Sequence, residues 1–523
     1  MTMCGYQDMV EAVLVEDGKI KKIGRTEELR LESDGCQWVD LHGAAMLPGF
    51  LDAHSHFISY ATSLMQVDLD GAESIDEITK RVQQFIRDHN VPAGDWVKAR
   101  GYDHNFLQGR RHPSLEALDE MSPDHPLVIQ HQSGHVGLLN SGGLEKLGIT
   151  PQMAEESRGM IGCEDGKLNG YLEESAFIEA VQKIPMESQA QFEEAMRAAQ
   201  EKYLSYGITT MQEGMVMEVM LPFMKYAASS GFLKLDYVAY LDFQEREKLV
   251  PAFADHMTSY KNHFRVGGYK IFLDGSPQSR TAWVTIPYEG STEQGYPILK
   301  DEAVEQACEV SVQEGIQLLA HCNGDAACQQ FIDAYAKAVK TDGEDLKECS
   351  RDTRPVLVHA QLLTREQLRE VKALGMFPSF FVGHVYYWGD IHLENLGCQR
   401  AKEISPLKSA SAMQIHFSLH TDAPVTPPDM LHTIWCAVNR ITKKGVSLGS
   451  GECISPYQAL RGVTIDAAYQ YHEEKEKGTI EPGKRADFVI LSQNPLKVDQ
   501  DQIHRIKVLE TIKDGVSVYK MKQ

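Results

Sequence analysis

"DEAVEQACEVSVQEGIQLLAHCNGD", Asp301 to Asp325, reads as a helix stopped by a glycine and followed by a short strand that ends in histidine. Gly315 is the stop, and His321 comes just after the apolar run. The same unit recurs. "QFEEAMRAAQEKYLSYG" places Phe192, Met196, Ala199 and Tyr203 at helical spacing, stops at Gly207 and leads into "ITTMQEG". "TREQLREVKALG" opens with a capping box from Thr364 to Gln367, stops at Gly375 and leads into "MFPSFF". Repeated helix–glycine–strand units imply a parallel sheet with crossover helices. Candidate strands fall near "MLPGFLDAH", "ITTMQEG", "KLDYVAYL", "YKIFLDG", "QLLAH", "VLVHA", "MFPSFF" and "IHFSLHTD". This set predicts a closed (β/α)8 TIM-like barrel.

The ends of the chain differ from its middle. "AVLVEDGKIKKIG" (Ala12 to Gly24) alternates apolar and polar residues around an Asp17-Gly18 turn, as a hairpin does. "ADFVILSQNP" and "IHRIKVLETIKDGVSVYK" repeat the pattern near the C-terminus, with a turn at Asp514-Gly515. The segment between Tyr60 and Gln189 is too long for one crossover. It has its own apolar runs, such as "PLVIQ", and reads as an inserted α/β subdomain. "TDGEDLKECSRDTR" (Thr341 to Arg354) reads as a charged surface loop. The expected division is 1–46 with 476–523 as a composite β-sandwich, 47–60 with 190–475 as the barrel, and 61–189 as the insertion.

Composition narrows the partners. The 523 residues carry 52 Lys and Arg against 74 Asp and Glu, a formal charge of −22. So acidic a surface disfavours nucleic acid and anionic membranes as partners; a small-molecule substrate is expected from the metal-site reading below. The ten cysteines form no C-x-x-C pair and read as reduced thiols. No secretory signal and no membrane-length apolar run is visible, so the expected location is cytoplasmic. A homodimer is the default oligomer.

Residues with metal-binding chemistry sit at the strand ends. "GFLDAHSHF" puts His54 and His56 after the first strand; Lys270, His321, His359 and Asp422 come at or after the fourth, fifth, sixth and eighth. In a (β/α)8 barrel such positions converge on one mouth. Imidazole and carboxylate are good ligands for zinc and similar cations. Lysine has no free lone pair when charged; it fits a metal site if carboxylated by CO2 to a carbamate, and an exposed or salt-bridged lysine is the ordinary alternative. The set suits hydrolysis, because a two-cation site can activate water and polarise a carbonyl.

At this level of detail the chain resembles the amidohydrolase superfamily, in its YtcJ-like branch (amidohydrolase family 3). "LPGFLDAHSH", "YKIFLDGSPQSRTA", "AHCNGDAA", "VHAQ", "LHTDAPV" and "GTIEPGKRADFVIL" carry the resemblance, which covers nearly the whole chain. It implies a bipartite sandwich, a metal-bearing barrel, a carboxylated Lys270 and usually zinc. His54, His56, Lys270 and Asp422 would hold one cation; His321, His359 and the Lys270 carbamate would hold the other. It also implies attack by metal-bound hydroxide on a small amide, such as an N-acyl or N-formyl amine, with Asp422 as proton shuttle. Cyclic amides, esters, deamination and a non-catalytic metal-binding regulatory role are the alternatives. For substrate contacts the expectation falls on His135 and Asp103 in the insertion, Arg280 and Trp283 after the fourth strand, and His384 and Trp388 above the seventh. One departure stands out: members usually begin with a further strand before the hairpin, and here only "MTMCGYQDM" precedes it. An exposed sheet edge is the expected consequence.

Overall fold

At Gly49, in the computed structural model, the chain leaves one sheet and enters another. Ala45–Pro48 pairs antiparallel with Phe488–Leu491, whereas Phe50–Leu51 (β1) begins a parallel sheet. Only glycine fits at this turn, because a Cβ there would lie 2.4 Å from the Thr209 methyl carbon. The run "MLPGFLDAH", expected as one strand, is therefore two. The structure describes all residues except 7, 33–34, 133–135, 157–158, 186–187, 258, 342–351 and 523. Most of the expected charged loop, residues 342–351, lies outside the described residues.

The chain forms two units, Met1–Ile58 with Gln200–Gln523, and Ser59–Ala199. The first contains the parallel sheet. After β1 come Ile208–Val216 (β2), Asp236–Asp242 (β3), Phe264–Phe272 (β4), Gln317–Cys322 (β5), Val356–His359 (β6), Phe377–Phe380 (β7) and Ser418–Leu419 (β8). Each pairs in parallel with the next. Past the ends of β1 and β8 the backbone joins first to last: Asp422 N–H donates to the His54 carbonyl at 3.0 Å, and His56 N–H donates to that of Ala423 at 2.8 Å. The result is the (β/α)8 barrel. Its strands are apolar on both faces because side chains fill the interior and helices cover the outside. Leu51, Val238, Tyr240, Leu319 and Val358 share the inner core.

Local signals explain the crossovers. The helix Asp301–Glu314 stops at Gly315, which adopts φ 66° and closes the last turn with its N–H. Thr364 caps Arg365–Ala373, and Gln367 reaches back to complete the box. At the chain ends, Ala45–Pro48, Phe488–Leu491, Val508–Lys513 and Val516–Lys520 form a four-stranded sheet; Ala12–Glu16 and Lys19–Gly24 form the hairpin. Both Asp-Gly turns have two positive φ angles, the geometry that matches strand twist. Ile20, Ile480, Ala486 and Phe488 form the core between the two sheets. No strand precedes the hairpin among the described residues. Instead the Met1 amino group donates to the Met46 carbonyl, and Ile480 N–H donates to that of Thr2, each at 2.8 Å.

The second unit has a six-stranded sheet in the order Val67–Asp68, Val97–Tyr102, Leu127–His131, Val136–Leu139, Lys167–Glu173, Met160–Glu164. The first three strands are parallel and the rest antiparallel. Ser74, Ser114 and Asn140 cap its helices. Among the described residues, no helix of either unit is long and apolar enough to cross a membrane.

A buried ion network ties the start of β3 to the C-terminal segment. Asp236 Oδ2 lies 2.6 Å from Lys477 Nζ and 3.1 Å from Lys513 Nζ, and Oδ1 lies 2.8 Å from His263 Nδ1. Burial alone would raise the Asp236 carboxyl; the two ammonium groups outweigh it and hold it well below the usual range. A depressed carboxyl pKa contributes stability that is complete above the unfolded value, about pH 4, and is lost as pH falls toward the folded one. Asp236→Asn removes the carboxylate that Lys477 and Lys513 share and leaves each with one buried partner, Glu473 at 2.6 Å and Asp487 at 3.0 Å. At pH 7 it is expected to cost about 3–5 kcal/mol, read as a lower urea midpoint. The gap from wild type should shrink below about pH 4. An unchanged midpoint at pH 7 would show that the network contributes nothing net.

Candidate metal centre

The barrel mouth gathers the six residues read from the strand ends. His54 and His56 follow β1, Lys270 lies near the end of β4, His321 and His359 lie at the ends of β5 and β6, and Asp422 lies just past β8. Asp422 Oδ1 is 3.7 Å from His54 Nε2 and 3.5 Å from His56 Nε2. His359 Nε2 is 3.0 Å from His321 Nδ1. Ligand atoms of His54, His359 and Asp422 all lie within 4.8 Å of one another. His359 and Asp422 have φ of 73° and 55°, left-handed values uncommon outside glycine. Such strain persists where surrounding contacts hold it, and it gathers at functional sites.

Hydrogen-bond accounting assigns the ring protons. The Gln212 amide nitrogen donates to the Ala53 carbonyl at 2.7 Å, so its Oε1 must accept from His54 Nδ1–H at 2.6 Å. That leaves the His54 Nε2 lone pair directed at Asp422. A longer chain does the same for His359. Gln470 Nε2 donates to Ala53 O at 2.8 Å, so Gln470 Oε1 can only accept, from the Ser418 hydroxyl at 2.6 Å. Ser418 Oγ is then the acceptor in its 2.8 Å contact with Ser379 Oγ. Ser379 in turn accepts from His420 Nδ1–H at 2.8 Å, and His420 Nε2 accepts from His359 Nδ1–H at 3.1 Å. His359 Nε2 is left with a lone pair facing His321. Partners of this kind set the tautomer of a ligating histidine. Glu213 stands beside His56 without bonding it: its Oε1 lies 3.5 Å from His56 Nδ1, while Oε2 accepts from Ile58 N–H and the Tyr237 hydroxyl.

Electrostatics agree with this accounting. Burial drives His54, His321 and His359 well below the usual imidazole range, so each is neutral and keeps a lone pair. Burial pushes Lys270 down to about 7, opposed by the Asp422 charge, and Asp422 up to about 6, opposed by His56 and Lys270. Lys270 Nζ and Asp422 Oδ1 are buried without a hydrogen-bond partner among the described residues. Orphaned buried polar atoms are costly and call for a partner. With three neutral imidazoles and a carboxylate around them, a divalent cation fits.

The remaining expected contacts scatter. His384 packs on Phe381 with ring centroids 4.7 Å apart, and Phe381 lies 5.3 Å from His420 and 5.8 Å from His359. It is thus one ring removed from the cluster. Trp388 lies 4.6 Å from His384. Arg280 turns to Asn395, with Nε donating to Oδ1 at 2.9 Å. The Trp283 N–H donates to Asp274 at 3.0 Å, so its backbone is fixed beside the β5 end. Asp103 belongs to the other unit, where it groups with His104 and His131. His135 lies outside the described residues. Gln212, Glu213 and His420 were not read from the sequence as functional. Their one signal is position, midway along β2 and two residues before Asp422.

Several known proteins resemble this chain. A Bacillus subtilis (strain 168) protein named as an amidohydrolase, YtcJ, is 28% identical, with 99% of this chain and 97% of that one aligned. The N-substituted formamide deformylase of Arthrobacter pascens is 26% identical, with 99% and 96% aligned. Among solved structures, an uncharacterized metal-dependent hydrolase from Pyrococcus furiosus superposes with a TM-score of 0.74 at 26% identity, covering 93% of this chain and 95% of that one. The family model described as "Amidohydrolase family" matches residues 37–519, and with strand ends, ligand cluster and relatives in agreement, the chain belongs to that family, in its YtcJ-like branch.

Proposed function

We propose that the protein hydrolyses the C–N bond of a small amide of the N-acyl or N-formyl amine class, with zinc as its cation. The observation that carries this reading is the inward set of lone pairs, at His54 Nε2 and His359 Nε2, around the unpartnered oxygen of Asp422. The formamide deformylase similarity, running over almost the full length of both chains, supports the substrate class.

His54, His56 and Asp422 would hold one cation, and His321 and His359 a second. A bound cation of this type lowers the pKa of water and polarises a carbonyl. Lys270, whose charged form burial disfavours, has a nitrogen able to take up CO2 as a carbamate with loss of a proton, which would add two oxygen ligands. The Asp422 carboxylate takes a proton from the attacking water as the water oxygen bonds to the carbonyl carbon. The same carboxyl then gives that proton to the departing nitrogen as the C–N bond breaks. A carboxylate beside a cation stays ionised at neutral pH yet can carry a proton from water to the leaving group. Gln212 and His420 keep the His54 and His359 rings in place throughout.

The test is purified, zinc-supplemented protein assayed against N-formyl amines, N-acyl amines, cyclic amides, esters and amino-heterocycles. Amine release with formate or another carboxylate from the first two classes is expected to exceed all other turnover. Faster turnover of cyclic amides, esters or heterocycles would reassign the substrate, and no turnover in any class would remove the hydrolytic reading.

A further inference from the structure

The Ser59–Ala199 unit holds a second group of ligand-type side chains. Val97–Tyr102 and Leu127–His131 are parallel neighbours, with Tyr102 paired to His131. Asp103 and His104 follow the first strand, and His131 ends the second. The carboxyl ends of adjacent parallel strands, where α/β sheets usually bind ligands, therefore bring these three side chains together.

Their geometry is specific. Asp103 Oδ1 is 3.4 Å from His131 Nε2 and 3.7 Å from His104 Nδ1, and the two nitrogens are 3.1 Å apart. Three ligand atoms at corners of a tetrahedron, each about 2.1 Å from its centre, lie about 3.4 Å from one another. The observed triangle straddles that edge. The plain alternative is a hydrogen-bonded Asp–His–His relay. A relay passes through both nitrogens of its middle ring and runs in a line. Here one nitrogen of each ring and one carboxylate oxygen form a compact triangle instead of a line.

The surroundings fit a held cation. Asn105 donates to Asp103 Oδ1 from its backbone and side chain, at 2.8 and 2.9 Å, and fixes the carboxylate. His112 stacks on His104 at 4.2 Å and meets the Tyr102 hydroxyl at 2.9 Å, which walls one side. The side chains of Asp103, His104 and His131 are 19%, 30% and 11% exposed, so an ion can enter without unfolding.

We propose that Asp103, His104 and His131 bind a divalent first-row transition cation of the zinc type, with the remaining position left to water. The ion would pin the turn after Tyr102 to the end of the neighbouring strand. The proposal does not depend on the hydrolytic reading of the barrel. Full-length protein stripped by chelator is equilibrated with excess zinc, and its metal is counted by elemental analysis. His104→Ala combined with His131→Ala is expected to lose one equivalent relative to wild type. His54→Ala combined with His56→Ala should keep that equivalent, which separates this site from the barrel ligands. Equal zinc in wild type and the His104/His131 variant would overturn the proposal. Should that variant misfold by circular dichroism, zinc-edge anomalous scattering from wild-type crystals decides. A peak among the three atoms supports the site, and its absence refutes it.

Discussion

Asp422→Asn is expected to lower turnover of the preferred amide by about 10²–10⁴-fold, the usual worth of a positioned acid–base group. Asparagine is nearly the same size and shape, and its oxygen keeps a lone pair for a cation. It cannot take a proton near neutral pH and carries no charge. The backbone favours the substitution, because Asp422 sits at φ 55° and asparagine tolerates left-handed angles as aspartate does. The Asp422 N–H bond to His54 should also survive, since it comes from the main chain. Turnover, zinc content and circular dichroism should be measured together. Lost turnover with retained zinc and fold places the defect in proton transfer. Full activity in the asparagine variant would mean that another group carries the proton.

Gly214→Ala is expected to be nearly as damaging, although the residue has no chemistry of its own. It lies on β2, and a Cβ there would meet His54 Cε1 at 2.3 Å, His54 Nδ1 at 2.9 Å and His56 Cε1 at 2.9 Å. Gly214 has an ordinary backbone angle, so the constraint is space. One methyl group must push both rings, and with them the Gln212–His54 bond. Displacements near 1 Å at a reacting centre can cost about 10²-fold in rate. Overpacking typically costs about 1–3 kcal/mol of stability. The expected result is a folded protein with less bound zinc and about 10²-fold lower kcat. Unchanged zinc and kcat would show that the two rings have freedom to move aside.

The sequence was most legible where a local rule has one outcome. Helix Asp301–Glu314 ends at Gly315 and the Thr364 box forms, because both signals act within four residues. The six ligand-type residues converge because barrel topology brings strand ends to one mouth, and strand order can be counted along the chain. Legibility failed where the cause was remote in sequence. Nothing around Gly49 announces that one apolar run serves two sheets; the reason is the side chain of Thr209, across the sheet. Nor does any local signal announce that Arg280 bonds Asn395, more than a hundred residues away.

By itself, then, the sequence determined the barrel and which ligand-type residues stand at its strand ends. These follow from periodicity, stop signals and residue type, which are local properties. Only the tertiary structure decided which nitrogen of each histidine carries the proton, which glycine leaves room for two rings, and that Asp103 stands with His104 and His131. Those depend on atoms a few ångströms apart in space and far apart along the chain. Gln470, for example, orders the His359 tautomer through Ser418, Ser379 and His420. No spacing rule reaches that far, because a hydrogen bond responds to distance and direction in the folded molecule.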